Sequence, residues 1–168
     1  MGTPLDFKKN LAPLLETIQQ PIAIFDLDGT LFDVSYRTLE ILNRFTAEAE
    51  VMRDYAPEIE KVGRLDARRD FKYTLEQNLA HVGITHHSAR EALFIKNATD
   101  YWFKHFFTDE LVLSDQVYKG AAEAVRWFHE RGARVVYLSG RDVPNMSRGT
   151  IAMLEQGGFP IHEDRVSL

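Results

Sequence analysis

An α/β fold with a parallel sheet, interrupted by a long helical insertion, is the architecture that three features of this sequence predict. Two apolar runs, Ile22-Ala23-Ile24-Phe25 and Val135-Val136-Tyr137-Leu138, have the length of buried strands, and each leads into a polar turn containing glycine. A helical pattern separates the second run from Arg165-Val166-Ser167-Leu168, which reads as the start of a third strand. Strand, helix, strand, helix, strand implies parallel pairing with right-handed crossovers. Between the first two runs, from about Ser35 to Leu113, the sequence is strand-poor and its apolar residues recur at three- and four-residue spacing, the mark of helices.

Taken in order, residues 5–20 read as a short amphipathic arm with Leu11, Leu14, Leu15 and Ile18 on one side, broken or restarted at Pro13. Pro21 separates the arm from the first strand, 22–26. Ser35 is placed to cap a helix carrying Tyr36, Leu39, Leu42 and Phe45. The same period continues after Pro57 through Ile59, Val62 and Leu65, and again in Leu75, Leu79 and Val82 before Gly83. Ser88-Ala89-Arg90-Glu91 has the form of a capping box and opens a helix toward Trp102, Phe103, Phe106 and Phe107. Gly120 precedes a helix with Ala121, Ala124, Val125 and Phe128 that stops at Gly132, and a further helix is expected around 147–156. The organisation expected is an arm at 1–21, a core made of 22–34 and 113–168, and a helical insertion at 35–112.

The chemistry concentrates at the ends of the two strands. In a strand, residues i and i+2 point to one side, so Asp26 and Asp28 of Phe25-Asp26-Leu27-Asp28-Gly29-Thr30-Leu31-Phe32-Asp33 aim into one space if the extended geometry persists. Two carboxylates so placed repel unless a cation lies between them or one takes a proton. The second strand delivers Ser139-Gly140-Arg141. In open parallel sheets ligands bind beyond the carboxyl ends of the strands. If the two strands are neighbours, one crevice holds two carboxylates, a hydroxyl, a glycine amide and a guanidinium. Carboxylate oxygens suit a hard cation such as magnesium, and the hydroxyl and amides suit phosphate. Phosphoryl transfer is the chemistry such a set serves.

Composition narrows the classes. The 168 residues are 45% hydrophobic and 27% charged, as in an ordinary globular protein, and the net charge of −5 argues against non-specific duplex nucleic acid binding. Without cysteine there is no disulfide, thiolate metal site or cysteine nucleophile. No apolar stretch approaches the roughly 20 residues of a membrane span, and the N-terminus lacks the layout of a signal peptide, so a cytoplasmic protein is expected.

The stretch from Phe25 to Asp33 resembles the first motif of the haloacid dehalogenase superfamily, whose members are mostly phosphohydrolases. Leu138-Ser139-Gly140-Arg141 resembles the second motif, and the helical stretch between them matches that family's cap. The resemblance implies a Rossmann-like, three-layer core with an inserted α-helical cap. It implies that Asp26 is a nucleophile forming a phosphoaspartate, and that its carboxylate and the Asp28 backbone carbonyl ligate Mg2+. Asp28 is then the general acid and base, Ser139 and Gly140 hold phosphoryl oxygens, and Arg141 assists as a phosphate ligand. The substrate expected is a small phosphate monoester. A catalytically silent binding or scaffold domain, or a phosphatase of nucleotide or polynucleotide ends, are the alternatives. The family's third-motif lysine and later acidic ligands have no counterpart: no lysine follows Lys119, and Glu163 and Asp164 precede the last strand instead of ending it. The resemblance therefore implies a piece truncated before those motifs, or a degenerate member. His86-His87, Arg64 and Arg68 with Arg69 and Lys72, and the aromatic cluster from Tyr101 to Phe107 are secondary candidates that read more simply as solvated or packing residues.

Overall fold

The computed structural model describes residues 7–161 and 163–168, so Leu5 and Asp6 of the expected arm lie outside it. In chain order the elements are α1 (Phe7–Thr17), β1 (Ile22–Asp26), β2 (Phe32–Asp33), α2 (Ser35–Thr46), α3 (Ala49–Asp54), α4 (Ala56–Val62), α5 (Leu75–His81), α6 (Ala89–Phe106), α7 (Asp109–Val112), β3 (Gln116–Val117), α8 (Ala121–Glu130), β4 (Arg134–Leu138), α9 (Val143–Gln156) and β5 (Val166–Ser167). The fold is mixed α/β with a parallel three-stranded sheet, the expected Rossmann-like class. The described residues divide into two compact units, one drawn from those up to 32, 117–140 and those from 154 on, the other from 33–116 and 141–153.

The first unit contains the sheet, in the order β1-β4-β5. β1 and β4 pair in parallel from Ile22↔Arg134 to Asp26↔Leu138, and β5 joins through Val135↔Val166 and Val136↔Ser167. Gly120 and Gly132, at φ of +85° each, bracket α8. Such left-handed positions are cheap for glycine and costly for residues with a Cβ. α8 buries Ala121, Ala122, Val125 and Trp127, while Ala23, Leu27, Val135 and Tyr137 are buried from the sheet region. Phe25 meets Phe128 edge-on with ring centres 5.6 Å apart. Burial pushes the Tyr137 phenol well above its ordinary pKa, and its hydroxyl donates to the Pro160 carbonyl at 2.8 Å.

The strands differ from expectation in one respect. They alternate instead of being buried throughout: Ile22, Ile24 and Leu138 are 63%, 62% and 62% exposed, whereas Ala23 and Val135 are buried. A continuous apolar run does not reveal whether one face or both are covered. A second correction concerns Pro13, which lies inside α1 without ending it. Proline removes the hydrogen bond to the carbonyl four residues back, here that of Lys9, and Lys9 is an exposed residue whose carbonyl water can serve.

The second unit is helical. Its core joins Leu42 and Phe45 of α2, Val51 of α3, Val62 of α4, Leu75 and Leu79 of α5, and Phe94, Ile95 and Ala98 of α6. Phe94 packs against Phe45 and Tyr55 at centroid distances of 5.3 and 5.2 Å. Each such buried side chain contributes on the order of 1.5–3 kcal/mol. Glu58, buried in this unit, is held by Arg90 through two hydrogen bonds of 3.0 Å. Helix starts are set by side chains: Thr74 and Gln77 form a complete capping box on α5, and the Ser88 hydroxyl accepts from the Glu91 N–H on α6. The Glu91 carboxylate turns to Lys61 at 3.0 Å, and that hydrogen bond holds it below the usual carboxylate range. Ser35 does not cap α2; its N–H is instead the donor to Asp33 Oδ1 at 3.0 Å, so the preceding aspartate does the capping. Arg64 and Arg68 fall in turns beyond α4.

Gly149 shows how tightly α9 is seated. Its N–H donates to Asp109 Oδ1 at 2.7 Å, and a Cβ built there collides with the Asp109 carbonyl. That hydrogen bond also lowers the Asp109 pKa. Gly149→Ala gains about 1 kcal/mol of helix propensity but loses about 1–3 kcal/mol to overpacking, plus the displaced charge-assisted bond. Sterics win, and the expected result is a net loss of about 2 kcal/mol with an unfolding midpoint several degrees lower. A midpoint unchanged or raised in a thermal melt contradicts this packing.

Candidate active site

β1 ends at Asp26, and the chain then makes a tight turn. Leu27 is fully buried, and its carbonyl accepts from the N–H groups of Leu31 (3.0 Å) and Phe32 (2.9 Å). Gly29, at φ +78°, lets the chain reverse, and its N–H donates to the Phe32 carbonyl at 2.8 Å. Asp28 lies between the buried leucine and this glycine, half-buried and bridged to Phe32. The turn returns Thr30 toward the strand end, where its hydroxyl donates to Asp26 Oδ2 at 3.0 Å. Thr30 is a site residue to which sequence reasoning assigned no role. Its place four residues after Asp26 on a glycine turn was the available signal.

Ser139 and Gly140 come from the neighbouring strand. Because Asp26 is in register with Leu138, Ser139 is the first residue past the partner of the candidate nucleophile. Parallel neighbours lie about 4.8 Å apart. Asp26 and Ser139 therefore leave adjacent strands at the same edge of the sheet. Ser139 is half-buried and Gly140 is exposed. A Cβ at Gly140 would meet nothing within 4 Å, so the fold does not demand glycine here. The missing side chain leaves the backbone open to close approach by a ligand.

Arg141 belongs to the second unit and is anchored there. Its Nη2 donates to Asp115 Oδ2 at 2.7 Å and its Nη1 to the Thr150 hydroxyl at 3.2 Å, with 3% of the side chain exposed. Asp115 is shared. Arg37 donates through Nε to Asp115 Oδ1 at 2.8 Å and through Nη2 to Oδ2, both side chains being fully buried. Arg37 also donates to the Phe106 carbonyl at 3.3 Å and lies 4.3 Å over the Phe106 ring. Sequence reasoning missed Asp115 and Arg37. The signal for Arg37 was a charge on an apolar stripe, where it precedes Thr38, Ile41, Leu42 and Phe45 on the buried side of α2.

Several of the secondary candidates meet partners within the second unit. His86 meets Glu76 at 2.7 Å, Arg64 meets Glu60, Arg69 meets Asp66, and the Arg68 guanidinium donates to the Tyr36 hydroxyl at 3.0 Å. Phe94, Phe106 and Trp102 pack within the second unit, while Phe103 is exposed. Lys119 is an exposed turn residue before α8, and Glu163 pairs with His129 at 3.5 Å.

The donors that the chain offers around the end of β1 are oxygens: the Asp26 and Asp28 carboxylates and the Asp28 backbone carbonyl. Among the described residues no cluster of three or more His, Cys, Asp or Glu is arranged to hold a metal. Two acidic oxygens and a carbonyl fit a hard, six-coordinate cation that keeps several of its waters, as magnesium does. No helix among the described residues is long and apolar enough to cross a membrane.

Compared with known protein families, the sequence matches the model described as a hydrolase, haloacid dehalogenase-like, over residues 21–159. No curated protein matches it. The matched span runs from the residue before β1 through both strand ends and the whole helical insertion.

Proposed function

We propose that this chain, which belongs to the haloacid dehalogenase-like hydrolases, hydrolyses small phosphate monoesters through a phosphoaspartate on Asp26. The observation that carries the reading is the strand register, which sets Asp26 beside the strand leading into Ser139-Gly140. With Oδ2 of Asp26 accepting from Thr30, the other carboxylate oxygen is the one presented for attack on phosphorus. That attack forms the Asp26 O–P bond and breaks the ester P–O bond. Asp28 gives its proton to the departing alkoxide, then takes one from the water that cleaves the acyl phosphate. The Ser139 hydroxyl and Gly140 N–H hold phosphoryl oxygens. The Asp26 carboxylate and the Asp28 carbonyl would hold magnesium, which would supply positive charge against that of nucleophile and phosphate.

The test is phosphate release from a generic aryl phosphate, with and without a chelator. Activity is expected to need added magnesium, to fall at least about a hundredfold on chelation, and to return when magnesium is restored. Turnover that survives full chelation overturns the metal assignment. Binding of phosphate without any turnover overturns the enzymatic reading in favour of a binding domain.

A further inference from the structure

We propose that the starting edge of the sheet carries a second anion site, which takes a small organic molecule bearing a phosphate dianion and holds it through Arg134 and Arg165. The site is independent of the reading of Asp26 and Ser139. Ile22 and Arg134 are the first residues of β1 and β4 and are partners in register. They lie at the opposite ends of those strands from Asp26 and Leu138, about 13 Å away along the strand.

A cavity of about 370 Å³ opens there, lined by Gln20, Pro21, Ile22, Gly132, Arg134 and Arg165, all of the first unit. That is the size of a small-molecule site. The sheet ties the three lining segments together: the Arg134 N–H donates to the Pro21 carbonyl and the Val135 N–H to the Arg165 carbonyl, each at 2.8 Å. The Arg165 side chain lies across Gly132, its Nη1 3.5 Å from where a Cβ would stand.

An exposed arginine is ordinarily a solvated charge, and three observations set this pair apart. The chain has a net charge of −5, and Arg44, Arg53, Arg64, Arg90 and Arg148 each meet a carboxylate. Among the described residues Arg134 and Arg165 meet none. Glu163, two residues before Arg165, turns to His129 at 3.5 Å, and neither it nor Asp164 lines the cavity. The cavity thus carries two uncompensated positive charges, the complement of a phosphate dianion, on planar forks that bind phosphate oxygens in pairs. The Gln20 amide adds two donors. Pro21 and Ile22, the latter 63% exposed, give an apolar wall for the organic part of the ligand. Finally, Gln20 and Arg165 are the two non-glycine residues with positive φ among the described residues, at +55° and +70°. A side chain disfavours that conformation, and such strain gathers where ligands bind.

The test is a titration of the whole chain followed by the backbone amide signals in two-dimensional NMR. The probes are phenylphosphonate, which has no ester bond to hydrolyse, inorganic phosphate, and benzoate as a monoanion, at constant ionic strength and at a pH where the first two are dianions. Phenylphosphonate is expected to give saturating shifts at Gly132, Arg134 and Arg165 and to bind several-fold more tightly than inorganic phosphate. Arg134→Gln and Arg165→Gln should each weaken it by about tenfold, the scale of a charge-assisted hydrogen bond. Both side chains are exposed, so the variants should keep the native spectrum, and if one does not fold the other decides. Binding at the Asp26 and Ser139 end is read from its own signals, so failure there leaves this site standing and the reverse. Shifts confined to that end, unchanged affinity in the folded arginine variants, benzoate binding as tightly as phenylphosphonate, or inorganic phosphate binding as tightly as either would each overturn the proposal.

Discussion

Asp26→Asn is expected to reduce hydrolysis of an aryl phosphate by about 10³-fold or more while the protein remains folded and still binds phosphate. An amide nitrogen or amide oxygen cannot form the acyl phosphate, so the loss is that of a covalent nucleophile and not of a binding group. A thousandfold loss corresponds to about 4 kcal/mol of transition-state stabilisation. The fold should tolerate the change because Asp26 is exposed at the end of β1, and the Thr30 hydroxyl that donates to it can donate to an amide oxygen just as well. Thr30→Val makes a useful companion. It removes the hydrogen bond that orients the carboxylate but leaves the nucleophile, so its loss should be far smaller. Measured phosphate release decides the matter: if Asp26→Asn retains more than about a tenth of the wild-type rate, Asp26 is not the nucleophile.

How much of this was legible in the sequence depends on the range of the interactions involved. Local chemistry read through well. The glycines that end or reverse elements, Gly29, Gly83, Gly120 and Gly132, all have positive φ, and Ser88 caps α6 as its spacing suggested. Both strand-end motifs leave a parallel pair, which the alternation of strand and helix had implied. Other expectations failed. Val143 begins α9 four residues before the expected helix. Ser35 was the obvious cap by residue type, yet Asp33 reaches its N–H first. The exposure of Ile24 and Leu138 depends on which face of the sheet is covered, and an apolar run is the same either way. Asp115 was invisible for a related reason: its partners Arg37 and Arg141 lie 78 and 26 residues away. Nothing local marks an aspartate as the hub of two distant arginines.

Asp28 separates the two chemical roles of the pair, and its substitution should show them in different measurements. Asp28→Asn keeps the backbone carbonyl assigned to the metal, so apparent magnesium affinity should fall less than in Asp26→Asn. Turnover should nevertheless drop by about 10²–10⁴-fold, the usual worth of a positioned acid or base. The size of that drop should depend on the leaving group. An alkyl alkoxide is a strong base and needs a proton as it departs, whereas a phenolate with electron-withdrawing substituents leaves without one. The loss is therefore expected to be larger for alkyl than for activated aryl phosphates wherever ester cleavage limits the rate. Hydrolysis of the phosphoaspartate is common to all substrates, so the loss from the missing base should be uniform and should appear as acyl phosphate that accumulates on Asp26. Rapid-quench measurement of covalent phosphate resolves the two steps. An aryl substrate in the Asp28→Asn protein should label Asp26 in a burst followed by slow turnover, and an alkyl substrate should label it slowly. Equal slowing of the labelling step for both substrate classes would remove Asp28 as the leaving-group acid. Labelling and turnover slowed in the same proportion would remove it as the base.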